Sequence, residues 1–235
     1  MTRWSVVVAS RDGGDPDVSR LAIDELCRIY WQPLYSYARR QGLSPQDAED
    51  VTQGFFEFAL SKDLFGAADE SVGKLRSFLL TAFTRHVRGV WRQGQAQKRG
   101  GGVATLSIDA SQAEESYSLE PVDHCTPETL FERQYALRMV ETAVEQLHEE
   151  QKAAGKEEAF LLLRPRLDPT AAEAGTDKEI AENLGVSHDA VRQMISRLRK
   201  RFREIMKERV AGTLQDPSPM AVEEELTALR RALAG

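Results

Sequence analysis

Residues 176–209 read TDKEIAENLGVSHDAVRQMISRLRKRFREIMKER, and this stretch predicts two helices joined by a short turn. Thr176 and Glu179 match a capping box, in which each side chain bonds a backbone N–H that the helix start leaves unpaired. Gly185 follows the first helix at the position where a left-handed residue is least costly. Two helices joined by so short a turn form a helix-turn-helix, whose second helix can enter the DNA major groove.

The second helix of this stretch has one apolar side and one basic side. Ser187 is placed to cap it. Its apolar residues recur at helical spacing and are Val191, Ile195, Leu198, Phe202 and Ile205. Residues 188–209 contain eight Lys or Arg and three Asp or Glu. A solvated, salt-bridged helix hairpin is the simpler interpretation, but this basic excess within an acidic chain favours DNA binding.

The charge of the whole chain needs to be mapped before it is interpreted. The chain has 235 residues and a formal net charge of −6, and its 41% hydrophobic and 29% charged residues are typical of a helical soluble protein. Its basic residues concentrate in two zones, residues 74–99 and 188–209. Because a local field steers a polyanion, two basic zones on an acidic body permit DNA binding.

Several classes of protein are disfavoured by the sequence. No apolar run approaches the ~20 residues of a membrane span, and the N-terminus lacks an apolar signal core. Two cysteines, Cys27 and Cys125, are too few for a disulfide framework and fit a reducing cytosol. No metal-ligand cluster, phosphate loop or nucleophile–base set appears in recognisable spacing. We therefore expect a cytoplasmic protein that is not an enzyme and uses no metal or cofactor.

The N-terminal half predicts a series of helices. Residues 18–30 and 31–40 predict two of them, with Pro33 tolerated near the start of the second. Ser44 and Pro45 supply a cap and a first-turn proline for the next helix, PQDAEDVTQGFFEFAL. One face of this helix is apolar and carries Ala48, Val51, Phe55, Phe58 and Ala59. The opposite face is acidic, and Phe56 at the edge of the apolar stripe indicates a partner surface.

Residues 74–99 predict a long helix with a loose basic end, because they contain seven Lys or Arg and no Asp or Glu. Its core stripe is expected to be Leu79, Phe83, Val87 and Val90. A basic ridge at spacings of three and four is formed by Arg85, Arg88 and Arg92. Aromatic rings interleave with these charges, at Phe78, His86 and Trp91. Basic residues track phosphates and aromatic faces stack on unpaired bases, although Phe78 and Trp91 are also compatible with a core position.

The rest of the chain suggests a second domain. Residues 100–127 are polar, contain a Gly triplet and lack a helical period, so they predict a flexible linker. A helix from Pro127 to about residue 151 leads toward the helix-turn-helix. We therefore expect an all-α protein with helical domains at 1–99 and 128–211, and a C-terminal extension at 212–235 that carries a short amphipathic helix.

Three stretches, in this order, resemble the extracytoplasmic-function (ECF) group of sigma-70 factors of RNA polymerase, over about residues 23–209. DAEDVTQGFFEFAL is similar to the family's region 2.2 helix, which docks on the clamp coiled coil of the polymerase largest subunit. RSFLLTAFTRHVRGVWRQGQAQKR occupies the place of regions 2.3 and 2.4, which melt and read the −10 element. DKEIAENLGVSHDAVRQMISRLRKRF matches region 4.2, whose recognition helix reads the −35 element.

The resemblance implies promoter specificity delivered to core RNA polymerase, through its clamp and flap, with an anti-sigma factor or a Ser/Thr kinase as further candidate partners. Polymerase docking is implied for Glu49, Asp50, Gln53, Phe56 and Glu57. Contacts to the −10 element are implied for Arg85, Arg88, Trp91 and Arg92. Readout of −35 bases is implied for Arg192, Gln193, Ser196, Arg197 and Lys200. Phosphate contacts are implied for Arg199, Arg201 and Arg203.

The chain departs from the family pattern at Gly54, where an acidic residue is usual. Glycine at this position loses a charge and costs about 1 kcal/mol in helix propensity. One hypothesis is that docking is weakened and that phosphorylation of Thr52, Ser44 or a nearby hydroxyl restores it by adding about −2 charge. The alternatives are that the other acidic residues suffice, or that the C-terminal extension regulates the protein by packing on either domain.

A second function also fits the helix-turn-helix. A conventional repressor or activator would bind duplex DNA without polymerase, as a symmetric dimer. A repressor has no use for a strand-melting surface. The long basic helix with aromatic residues in the first half therefore favours the sigma factor.

Overall fold

The computed structural model describes residues 16–61, 74–96, 110–118, 125–167 and 176–234. Every regular element within these ranges is helical, which confirms the all-α prediction. The described residues also include one isolated antiparallel bridge, between Lys74 and Leu214. None of the described helices combines the length and the apolar character needed to cross a membrane.

The α-helices follow one another along the chain, with a 3-10 helix, Arg164–Leu167, directly after α6. They are α1 (Pro16–Arg40), α2 (Pro45–Ser61), α3 (Leu75–Ala96), α4 (Ala110–Ser118), α5 (Pro127–Ala153), α6 (Glu157–Leu163), α7 (Asp177–Leu184), α8 (His188–Ala211) and α9 (Pro219–Ala234).

Helix α1 is continuous, so the predicted division into two helices near residue 30 is wrong. Pro33 lies inside α1, where it lacks the N–H that would complete a backbone hydrogen bond. Its neighbours Ile29 and Leu34 are fully buried. Tertiary packing of this face therefore outweighs the local cost of the proline.

The chain divides into two compact units. Unit 1 comprises Met1–Arg138 and Val210–Gly235, and unit 2 comprises Met139–Arg209. Both divisions fall inside helices, within α5 and within α8. The C-terminal extension thus belongs to the same compact unit as the N-terminal half.

Helices α1, α2 and α3 supply a large part of the core of unit 1, together with buried residues at the start of α5. The fully buried side chains Leu34, Phe55 and Phe83 come from these three helices in turn. The rings of Phe55 and Phe83 meet edge to face, with centroids 5.2 Å apart. Burying side chains of this size stabilises the fold by roughly 1.5–3 kcal/mol each. This packing fixes α2 against α3.

Helix α4 lies within the stretch expected to be a linker without helical structure, and that expectation is wrong for Ala110–Ser118. Ala113 is buried. The Glu114 carboxylate accepts two hydrogen bonds of 2.8 Å from Arg39 and one from the Tyr35 hydroxyl. The Arg39 guanidinium lowers the pKa of Glu114. These contacts tie α4 to α1.

The C-terminal extension packs against the rest of unit 1 through α9. Val222, Leu226 and Leu229 are buried along one side of this helix. Glu225, on the same helix, is only 1% exposed. Its Oε2 atom lies 2.8 Å from Lys74 Nζ and accepts a hydrogen bond of 3.2 Å from Arg76 Nη2. The sequence left the contacts of this extension open, and the structure places it beside the start of α3.

Candidate nucleic-acid interface

The helix-turn-helix of unit 2 has the local interactions that the sequence predicted. Thr176 Oγ1 accepts from the Glu179 backbone N–H at 3.2 Å, and Glu179 Oε2 accepts from the Thr176 N–H at 2.8 Å. Gly185 ends α7 with φ of 63°. The Ala190 N–H donates to Ser187 Oγ at 3.2 Å and caps α8. Each of these contacts spans only a few residues, so the local sequence determines them.

The apolar stripe of α8 is buried as predicted. Val191, Ile195, Leu198 and Ile205 are buried, and Phe202 is half-buried. The core of unit 2 also contains buried residues from α6 and α7, namely Phe160, Leu163, Ile180 and Ala181. Burial of this stripe leaves the basic side of α8 facing outward.

Six of the residues implied in −35 contacts on α8 are exposed, namely Arg192, Gln193, Ser196, Arg197, Lys200 and Arg203. A cleft of about 420 Å³ brings part of this set together, and we call it the basic cleft. Its lining residues are Arg166, Asp177, Arg192, Ile195, Ser196, Arg199 and Arg203. Four arginines and the acidic residue Asp177 therefore line the same cleft.

Arg166 and Asp177 are members of the basic cleft that the sequence analysis missed. Arg166 lies in the 3-10 helix, and its Nη2 atom donates to Asp177 Oδ1. Arg199, half-buried, donates from Nε and Nη2 to the Arg166 carbonyl at 3.1 and 2.7 Å. The basic character of residues 164–166 was visible in the sequence. Its position beside α8 depends on the tertiary fold.

Arg201 has a different role from the phosphate contact implied for it. Its guanidinium donates two hydrogen bonds of 2.8 Å to the Glu150 carboxylate and one of 2.9 Å to Glu208. The two carboxylates raise the pKa of Arg201, and the Arg201 guanidinium lowers the pKa of Glu150. Arg201 thus joins α8 to α5 within unit 2, and its charge is already neutralised by carboxylates.

The structure describes only some of the side chains that were predicted to form the basic ridge of α3. Arg85 and Arg88 are exposed, whereas the side chains of Trp91 and Arg92 lie outside the described residues. Val90 was expected in the core but is 41% exposed, and it lines a cleft between α2 and α3.

This α2–α3 cleft has a volume of about 470 Å³. It is lined by Phe58, Phe78, Thr81, Ala82, Arg85, His86, Gly89 and Val90. The His86 ring packs on those of Phe55 and Phe58, with centroid distances of 5.8 and 5.5 Å. Burial lowers the pKa of His86. An apolar, ring-lined space next to a cation is chemically suited to hold an unstacked base.

The acidic face of α2 presents four of the five residues implied in polymerase docking. Asp50 is exposed, and Glu49, Gln53 and Glu57 are half-buried. Gln53 Nε2 donates to Glu57 Oε1 at 3.2 Å. These side chains form an accessible polar surface along one side of the helix.

Phe56 is the member of the docking set that the structure contradicts. Phe56 is 3% exposed and packs edge to face on Phe55, whereas Phe58, expected in the core, is 39% exposed. Helix α2 packs on α1 as well as on α3. The part of the α2 surface that is buried is therefore wider than the single apolar stripe predicted from the sequence, and it includes Phe56 rather than Phe58.

Thr52 does not fit the role of a phosphorylation site in the folded protein. It is fully buried, and its Oγ1 donates to the Ala48 carbonyl at 2.7 Å. A phosphoryl group at this atom has no room beside the packed core. Ser44 is exposed, and its Oγ caps α2 by accepting from the Asp47 N–H at 3.2 Å.

Gly54 has room for a Cβ atom. A Cβ atom at this position would lie 3.7 Å from His86 Nε2, an ordinary van der Waals distance. Packing at the Cβ position therefore does not require glycine at residue 54.

Comparison with known protein families gives a match to the family model described as ECF sigma factor, over residues 5–208. Neither the curated protein sequences nor the solved structures gave a match. Helix α9 lies beyond the matched residues.

Proposed function

The chain belongs to the ECF sigma factor family, and from this premise we propose that it docks on core RNA polymerase and directs it to specific promoters. Membership gives it a sigma factor role in transcription initiation, with RNA polymerase and promoter DNA as partners. The observation that carries the finer proposal is the helix-turn-helix of unit 2, whose recognition helix exposes a basic side above a buried stripe. Promoter-specific initiation in the bacterial cytoplasm is the function that these features support best.

The −35 element is proposed to lie against α8. Arg192 and Gln193, both exposed in the first turns of the helix, match the bidentate recognition of guanine and adenine in the major groove. Ser196, Arg197 and Lys200 are also exposed and complete the proposed base-reading side, whereas the exposed Arg203, farther along the helix, is suited to phosphates. Arg199 holds the Arg166 carbonyl, so its proposed contribution is to shape the basic cleft.

The −10 element is proposed to contact α3. Arg85 and Arg88 supply exposed positive charge, and the α2–α3 cleft supplies aromatic surface beside Arg85. This combination suits a partly single-stranded segment, because cations follow the backbone while rings stack on bases. Trp91 and Arg92 are included through the family resemblance.

Docking on the polymerase clamp is proposed for α2, through Glu49, Asp50, Gln53 and Glu57. The accessible acidic side of α2 supports this assignment. The buried Phe56 takes no part in this docking surface, and the exposed Phe58 lines the α2–α3 cleft assigned to the −10 element.

The first experiment is co-elution of the purified protein with bacterial core RNA polymerase on a sizing column at moderate salt. We expect a stable complex that selects promoter DNA. The alternative, a dimeric helix-turn-helix repressor or activator, predicts no co-elution and tight binding to duplex DNA by the protein alone. That second outcome would overturn the proposal.

Position 54 sets the strength of docking in this proposal. Gly54→Glu restores a negative charge on the docking helix, so we expect tighter binding to core polymerase in a titration. Ala154→Glu, at an exposed position of unit 2, adds the same charge elsewhere and serves as the control. Equal binding by wild type and Gly54→Glu would mean that the other acidic residues suffice.

Regulated docking would follow from weak binding by the wild type. Ser44 is the accessible hydroxyl near α2 for a Ser/Thr kinase, and an anti-sigma factor covering α2 is the other candidate regulator. Phosphorylated protein that binds core polymerase no better than unmodified protein would contradict the kinase.

A further inference from the structure

The carboxylate of Asp177 stands between two guanidiniums of the basic cleft. Its Oδ1 atom accepts from Arg166 Nη2, and its Oδ2 atom lies 3.5 Å from Arg192 Nε. Asp177 is the first residue of α7, directly after the Thr176 cap. A carboxylate on a surface that binds DNA repels phosphates and so weakens DNA binding. Its presence in the basic cleft therefore calls for a compensating role.

The surroundings of Asp177 hold its carboxylate in one place. The Arg166 guanidinium bonds it, and the Arg166 carbonyl is in turn held by two hydrogen bonds from Arg199 on α8. The capping box fixes the backbone at the start of α7. Asp177 is therefore anchored from both the 3-10 helix and α7, whereas Arg192 next to it has a side chain that is 70% exposed.

A fixed carboxylate beside an exposed arginine restricts the rotamers of that arginine. The Arg192 side chain has many rotamers, and ordering it upon binding opposes association. The ion pair with Asp177 favours the rotamers that keep the guanidinium at the mouth of the basic cleft. A residue held near its bound geometry discriminates better between bases, because a mismatched base cannot draw it to a new position.

We infer that Asp177 is a positioning residue for promoter specificity, which orients Arg192 for base recognition at the cost of some general affinity for DNA. The inference rests on the proposed function of α8 as the −35 recognition helix. Asp177 itself touches no base in this scheme. It acts through Arg192, and it favours sequence discrimination over binding strength.

The chain supplies a matched control in Asp189. This carboxylate also pairs with Arg192, 3.9 Å from Nη1, but its side chain is 87% exposed and the Arg192 guanidinium is the partner the structure gives it. Removing either carboxylate takes one negative charge from the same face. Removal of Asp177 alone also breaks the link to Arg166.

The experiment uses the full chain bound to core polymerase. Wild type, Asp177→Ala, Asp177→Asn and Asp189→Ala each select DNA from a library randomised over the −35 region. Affinities are then measured for the wild-type selected sequence and for a scrambled one. Asp177→Asn preserves an oxygen for Arg166 and removes the charge that attracts Arg192, so it tests the idea even if the alanine variant folds poorly.

For the Asp177 variants we expect unchanged or tighter binding to scrambled DNA, and about a tenfold smaller ratio of selected to scrambled affinity. The sequences that the Asp177 variants select should show a weaker base preference than those of the wild type at one position. Asp189→Ala should bind scrambled DNA at least as tightly as the wild type does, and it should keep the wild-type ratio of selected to scrambled affinity.

Other outcomes overturn the inference in distinguishable ways. An unchanged ratio in both Asp177 variants contradicts the positioning role directly. Equal losses on selected and scrambled DNA, together with a lower melting temperature, would assign Asp177 to fold stability instead. A wild type without preference for any sequence would overturn the proposed function along with the inference.

Discussion

His86 illustrates how packing changes the chemistry of one side chain. Its ring lies half-buried beside Phe55 and Phe58, at the α2–α3 cleft. Burial disfavours the protonated imidazole and lowers its pKa from the usual 6.5. The folded protein therefore holds His86 in its neutral form over a range of pH in which the unfolded chain already binds a proton.

The stability of unit 1 is predicted to fall as the pH drops through 6.5. The unfolded state takes up a proton at His86 first, so the free energy of unfolding decreases until the pH reaches the lower folded pKa. Urea unfolding at about pH 7.5 and about pH 5.5 measures this loss. His86→Gln should lose less stability over the same interval, and an identical loss in the variant would refute the assignment.

At the scale of the helix, α9 illustrates how one buried charge anchors an element. Its apolar residues Val222, Leu226 and Leu229 supply contact area, and Glu225 supplies a carboxylate for Lys74 and Arg76. Arg76 is itself buried and also pairs with Glu132 of α5. One arginine at the start of α3 thus connects α5 and α9.

Glu225→Gln is predicted to lower the free energy of unfolding by about 3 kcal/mol, because it leaves buried Arg76 with less compensation. Glu224→Gln is the matched control, since Glu224 is the exposed neighbour on the same helix. The control should change stability by less than about 0.5 kcal/mol. Equal effects of the two substitutions in thermal unfolding would mean that Glu225 contributes only surface charge.

At the scale of the whole molecule, the distribution of charge matters more than its sum. The net charge of the chain is −6, but α8 is rich in basic residues. These basic residues differ in whether a carboxylate already pairs with them. Arg203 lies exposed and lines the basic cleft. Arg201, two residues earlier, is held by Glu150 and Glu208. Proximity in sequence therefore does not indicate equal availability for DNA.

Binding of promoter DNA is predicted to weaken steeply with salt, despite the acidic composition. Arg203→Ala should reduce the slope of log affinity against log salt by about 1, as the loss of one phosphate contact requires. Arg201→Ala should leave that slope unchanged, because its guanidinium is already paired. Equal reductions in the two variants would contradict this division of roles.

The sequence alone was sufficient for the parts of the fold that depend on near neighbours. The capping box of Thr176 and Glu179, the left-handed Gly185 and the buried stripe of α8 all join residues a few positions apart. Their spacing follows from helix geometry, so it can be read without knowing the fold. The same local patterns carried the family resemblance, which the match over residues 5–208 confirmed.

Only the tertiary structure decided the contacts between distant residues. Arg39 and Glu114 are 75 positions apart in the sequence, and Arg76 and Glu225 are 149 apart. Helical periodicity therefore cannot predict either pair. Phe56 is buried and Phe58 is exposed, the reverse of the prediction, for a related reason. Helix α2 packs against both α1 and α3, so a single apolar stripe does not predict which of its residues are buried. Helical spacing determines which residues share a face, whereas the packing of other helices determines which faces are buried and which charges are paired.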